Sequence, residues 1–155
     1  MNWEQVKKAF DGSNMLFKRC DIYLVKLELC PDSVTNANRS SVCDPRFAKF
    51  RASHLKVIQI LDTLSGKHVD SIVHTWHSVN QKSAIEYKVG CIVYPDFFDR
   101  DIDKICAPGI HYFKTLFAAY KYAESLFLDN GMVYGRSESY VKSYGFENLI
   151  VSDIF

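Results

Sequence analysis

Hydrophobic positions along the chain follow two spacings, and alternation of the strand kind covers more of it than helical spacing does. Trp3, Val6 and Phe10 recur at intervals of three and four, which predicts a short helix over residues 2–11 closed by Asp11-Gly12. Asp21–Cys30 alternates: Tyr23, Val25, Leu27 and Leu29 form a wholly apolar set, and Ile22, Leu24, Lys26 and Glu28 face the other way. That pattern predicts a strand with one buried face. Residues 31–45 hold turn-forming and polar residues between two prolines and predict a long loop.

From Ser53 the pattern is strand, turn, strand. His54–Leu61 alternates through Leu55, Val57 and Ile58/Ile60, Leu64–Lys67 reads as a turn, and His68–Trp76 resumes with Val69, Ile72 and Val73. The phase slips near Ser71-Ile72-Val73, as a β-bulge would make it do. Ile85–Pro95 predicts a third strand, with Gly90 marking a bulge or a close backbone approach. Asp96–Asp103 is an acidic, aromatic turn and Gly109–Phe113 a short strand. Thr115 is placed to cap the main helix, about 115–128, with Leu116, Tyr120, Ala123 and Phe127 as its apolar stripe. The tail, about 131–155, predicts two short strands around Tyr144-Gly145. Strands cluster first and the main helix comes late, so the expected fold is α+β: one compact domain over 1–155, with a mainly antiparallel sheet.

Composition narrows the function classes. The chain has 155 residues, 19 Lys+Arg against 18 Asp+Glu and a net charge of +1, so no global electrostatic argument favours nucleic acid. No apolar run reaches the length that spans a bilayer, and Met1–Gly12 lacks the apolar centre of a secretory signal. Cys20, Cys30, Cys43, Cys91 and Cys106 are odd in number, widely spaced and without a CxxC pair. This suits free thiols in a reducing compartment, and a cytoplasmic location is expected. No cofactor motif is present. Aromatics are abundant (11 Phe, 9 Tyr, 2 Trp), and eight of them fall between Tyr87 and Tyr120. They are expected to form the core and rim of a single turn, Cys106 to His111.

Several side-chain groups carry possible chemistry. Cys106 and His111 lie five apart across Pro108-Gly109 and can act as nucleophile and base, or pack as a thiol and a backbone-bonded histidine. Tyr87, Gly109 and Tyr112 join His111 as candidates to line a ligand pocket there. His74 and His77 point to opposite faces if they share a strand; on a turn, with Cys106 or His111, they could complete a zinc set. His54 is expected at an edge or surface. Arg46, Lys49, Arg51 and Lys56, interleaved with Phe47 and Phe50, are the candidates for single-stranded nucleic acid; a charged solvent face is the alternative. Asp96, Asp99, Asp101 and Asp103 lack the glycine and closing glutamate of an EF-hand and read as a solvated acidic turn.

The strand Leu24–Val34, then Phe50–Ile60, Tyr87–Asp99 and above all Cys106–Ala123 form a recognisable succession. The last contains Cys-x-x-Gly-Ile-His-aromatic-Phe running into a helix with small residues in its first turns. In these pieces the chain resembles a domain family of large DNA viruses, phages and some microbes, often fused to pentapeptide or other short repeats. The resemblance spans about 21–125 and implies a fold and a virus-associated setting; no activity is attached to it. The segment before residue 20 has no counterpart in it, and a repeat array is missing. A second, fold-level analogy, to ADP-ribosyltransferase-like domains, would require His54 or His74 to act with Glu138 or Glu147. The leading expectation is a binding module whose aromatic surface meets a protein partner or a second copy. A small enzyme at the Cys106–His111 turn and nucleic-acid binding through 46–56 are the alternatives.

Overall fold

In a computed structural model, residues 1–10, 14–77 and 82–122 are described, with the side chains of Trp76 and His77 left aside. The described part is α+β: a curled, half-barrel antiparallel sheet with two short helices. Helix α1 (Trp3–Ala9) starts at Asn2 in a capping box with Gln5 and buries Val6. Strands β1 (Leu16–Cys20) and β2 (Tyr23–Leu29) form a hairpin through the two-residue loop Asp21-Ile22, where Asp21 takes a left-handed φ of 53°. Strands β3 (Lys49–Ala52), β4 (Leu55–Asp62) and β5 (His68–Val69) follow. A two-stranded ribbon, β6 (Ser71–His77) and β7 (Lys82–Lys88), precedes β8 (Ile92–Val93), β9 (Ile110–Phe113) and helix α2 (Leu116–Lys121). The sheet runs β3-β9-β1-β2-β4-β5, and β8 pairs with the opposite end of β4 from β5.

Both faces of this sheet are covered, and that overturns the expectation of a strand with one buried face. Leu24, Val25, Lys26 and Leu27 are buried in succession, whereas Leu29 is exposed. On one face Leu24 joins Phe17, Leu61 and Phe113 beneath Val6 of α1 and Phe117 of α2. On the other, Val25, Leu27, Val57 and Ile60 pack with Ile72 and Tyr87 of the ribbon. Val57 and Ile60 are three apart yet share a face because the β2–β4 register shifts at Lys26/Leu27, leaving Ile58 as the extra residue of a bulge.

The phase slip near Ser71 has a different cause from the bulge expected there. The chain breaks at Asp70, and β6 leaves the main sheet to pair with β7. The expected strand over 85–95 is likewise two pieces, β7 and β8, joined through Gly90 at φ +84°, whose N–H donates to the Val57 carbonyl. Thr115 caps α2, accepting from the Ala118 N–H and donating to the Arg46 carbonyl. Leu116, Phe117, Ala118 and Ala119 are all buried and Tyr120 only partly, so this helix is covered around more of its girth than a single stripe. Ala123, Phe127, the helix beyond residue 122 and the strands over 131–155 lie outside the described residues.

Two glycines separate backbone conformation from steric fit. A Cβ on Gly90 would meet nothing within 4 Å, while one on Gly109, at φ +156°, would sit 3.1 Å from Arg51 Cβ and from Phe98. Gly90→Ala is expected to cost about 1–2 kcal/mol for its left-handed φ alone. Gly109→Ala should cost clearly more in the same urea titration.

Candidate functional site

The basic run is not a surface stripe. Arg51, in the middle of β3, is fully buried. Its guanidinium donates to four backbone carbonyls of the 99–108 loop: Lys104 (3.0 Å), Pro108 (3.4 Å), Asp99 and Asp101. The ring of Phe98 lies 5.2 Å away. Burial lowers the affinity of Arg51 for its proton, and the nearby charges of Asp99 and Asp101 oppose that shift. Buried Asn36 ties a second loop to the same place, accepting from the Arg51 N–H and donating to the Lys104 carbonyl. Arg46 pairs with Asp44 at 2.8 Å, and Lys49 donates to the Tyr122 hydroxyl. Lys56 lies exposed on β4, beyond the corner that the chain turns at Ser53-His54. With Arg51 internal, these four candidates do not present one phosphate-binding face.

The Cys106–His111 turn is arranged as packing for its histidine. Nε2 of His111 lies 2.9 Å from the Ala107 carbonyl, which fixes the proton on Nε2. Burial, with Lys18, Lys49 and Arg51 nearby, pushes His111 down to about 3, so its imidazole is neutral through the physiological range. Cys106 is exposed, not a packed thiol, and among the described residues no hydrogen bond joins it to His111. The aromatics expected around this turn are divided between the two faces of the sheet. Tyr87 and Tyr112 belong to the ribbon side, Phe113 and Phe117 to the helix side, and Tyr94 and Phe97 are exposed. Tyr87 and Tyr112 are thus core residues, and Gly109 makes room for Arg51 and Phe98.

His74 lies on the ribbon with its buried Nδ1 3.9 Å from Asp21 Oδ2 and without a hydrogen-bond partner among the described residues. Burial and Lys18 lower its basicity. His77 ends β6, and its side chain lies outside the described residues, as do Glu138 and Glu147. Among the described residues no three His, Cys, Asp or Glu side chains are grouped to hold a metal. All five cysteines are free, and burial pushes Cys20 up to about 11, which keeps it a thiol.

A different site is assembled at the corner between β3 and β4. Nε2 of His54 lies 2.8 Å from Asp32 Oδ1, and its Nδ1 lies 2.9 Å from Ser53 Oγ. The Val34 N–H donates to the same Oγ at 2.9 Å, and Ser33 Oγ donates to the His54 carbonyl. The hydrogen bond from His54 holds the Asp32 carboxyl below the usual range. Tyr94 stacks on the His54 ring, centroids 5.3 Å apart. His54 is therefore largely buried rather than an edge or surface histidine. The sequence holds Ser53-His54 as a dipeptide, but Asp32 is 22 residues away, and nothing in the local pattern joins them.

A family model described as a family of unknown function, DUF5758, matches residues 5–119, so the chain belongs to that family. The match begins well before residue 21, taking in most of α1 and all of β1, which the resemblance left out. No curated protein and no solved structure matches the chain. No described helix is long and apolar enough to cross a membrane.

Two outcomes test these assignments. Arg51→Met should destabilise the fold by about 3 kcal/mol or more, because several carbonyls lose their donor together. Arg51→Lys should recover only part of that, lacking the planar fork. His111 is depressed in the folded state, so it contributes stability above its unfolded value near 6.5 that is lost as pH falls toward 3. His111→Gln should therefore flatten the fall of stability with acid in that window by up to about one proton's slope, read from urea titrations at several pH values.

Proposed function

We propose that this member of DUF5758 is a binding module that docks a protein segment carrying apolar side chains beside Lys or Arg. The observation that carries the reading is the stretch leaving β8, where Tyr94 and Phe97 are 61% and 65% exposed. Large aromatics left in water at one place are the usual anchors of protein interfaces. Ile92, at the start of β8 two residues before Tyr94, is also exposed.

The surroundings favour a basic partner. Asp96, Asp99, Asp101 and Asp103 follow directly, with Arg100 and Lys104 as the cations among them, and Lys104 is paired with Asp99. Negative carboxylates beside exposed aromatic faces attract Lys or Arg both by charge and by cation–π contact. The segment is also firmly based: Arg51 holds its loop from within, and the Ser83 hydroxyl bonds Asp96. A preformed loop loses less entropy on binding than a floppy one. A virus-associated assembly, which the resemblance implies, and an intracellular location, which the unpaired cysteines suit, form part of this proposal.

Peptide display against the immobilised protein should enrich segments that combine an apolar or aromatic residue with Lys or Arg. Their binding should weaken with salt and fall at least tenfold in Tyr94→Ser/Phe97→Ser at unchanged melting temperature. Enrichment of acidic or featureless peptides, or equal binding by the double variant, would refute the reading. A concentration-dependent dimer abolished by the same double variant would instead make a second copy the partner.

A further inference from the structure

The corner at Ser53-His54 holds a serine, a histidine and a carboxylate in one hydrogen-bonded chain, and from this geometry we infer that Ser53 is an acyl-accepting nucleophile for activated esters with apolar acyl groups. The order of donors along the chain follows from the chemistry of each member. Asp32, held in its ionised form, can only accept, so the proton on His54 sits on Nε2 and points at Oδ1, 2.8 Å away. Nδ1 is then left with its lone pair toward Ser53 Oγ at 2.9 Å. Ser53 Oγ accepts from the Val34 N–H, so its own proton is directed to Nδ1. Every link therefore has one polarity, from hydroxyl to imidazole to carboxylate, which is the arrangement that activates a weak nucleophile.

Surrounding contacts hold the parts in place. The Ser53 N–H donates to the Val34 carbonyl at 2.8 Å and Ser33 Oγ donates to the His54 carbonyl at 2.7 Å, fixing the backbone on both sides of the pair. Tyr94 stacks on the imidazole and sets its plane. Ser53 is partly exposed and Asp32 open to water, so the hydroxyl is within reach of a small ester and Tyr94 offers an apolar surface for its acyl group.

In the step itself, Ser53 Oγ forms a bond to the carbonyl carbon while its proton passes to His54 Nδ1, and Asp32 stabilises the resulting imidazolium. The bond from that carbon to the leaving alcohol breaks, and the proton on Nδ1 goes to the departing oxygen. Water then attacks the acyl-serine with His54 as base, releasing the carboxylic acid and restoring the hydroxyl. General-base help of this kind contributes about 10²–10⁴-fold, which suits aryl esters with good leaving groups.

The test uses the whole chain with a fluorophosphonate probe and p-nitrophenyl butyrate. Intact mass should show one phosphonyl adduct, mapped to Ser53 and absent from Ser53→Ala. Because Ser53 Oγ also holds the Val34 N–H, the decisive comparison is at exposed Asp32, where a substitution leaves the core alone. Asp32→Asn should slow both labelling and ester turnover about tenfold or more, and Asp32→Glu, which keeps the charge, should restore much of the rate. No adduct on the folded protein, an adduct elsewhere, or rates unchanged in Asp32→Asn would overturn the inference. Binding of basic peptides is a separate readout: the Ser53 and Asp32 variants leave Tyr94 and Phe97 in place, so they should lose labelling and keep peptide binding.

Discussion

A buried cation organises one end of this fold. Among the described residues Arg51 has no carboxylate partner in direct contact, and its charge is met by the carbonyl dipoles of Asp99, Asp101, Lys104 and Pro108. Desolvating a guanidinium is costly unless its donors are used, and here the planar fork uses them on backbone. The arrangement turns a loop with little regular structure into a defined shape. Through Asn36 it fixes a second loop, 31–45, at the same point, so two long connections depend on one side chain.

The second constraint is that the sheet is sandwiched. Helices α1 and α2 cover one face and the β6–β7 ribbon contributes to covering the other, so the middle strands carry apolar residues on both sides. Polar residues drawn into this sandwich lose basicity or acidity in the direction that burial dictates: Lys18 and His111 are pushed down, Cys20 and Tyr87 up. The two proposed sites lie where the sheet ends, at the β3–β4 corner and along the segment after β8. Those two places share Tyr94, which is both exposed and stacked on His54.

Much of the fold is legible in residue order, for reasons that are local. The spacing of Trp3, Val6 and Phe10, the hydroxyl of Thr115 before an apolar run, and Gly90 within a β pattern each report a nearby backbone requirement. Strand β1 escapes because it is five residues long and because its turn, Asp21-Ile22, lacks glycine and runs directly into an alternating segment. The burial of both faces of β2 escapes because Lys26 breaks the apolar run that would signal it. The candidate sites are less legible still. A run of basic residues suggests an exposed stripe, and only the three-dimensional placement of four carbonyls makes Arg51 an interior residue. Likewise the link from His54 to Asp32 crosses a loop whose path no short-range pattern specifies.

The outer strands of the sheet have one more consequence. Along β4, the backbone is taken up by β8 at Leu55 and Lys56, by the Gly90-Cys91 turn at Val57, and by β5 at Ile60 and Leu61. Along β3, residues 34–36 take up the backbone of Arg51 and Ser53 and bridge Ala52. Short, irregular segments thus close both margins against strand addition, the route by which open sheets aggregate or recruit extended peptides. If the protein is the binding module proposed above, the main sheet leaves recognition to side chains, and exposed aromatics such as Tyr94 and Phe97 can serve it without an open margin of that sheet.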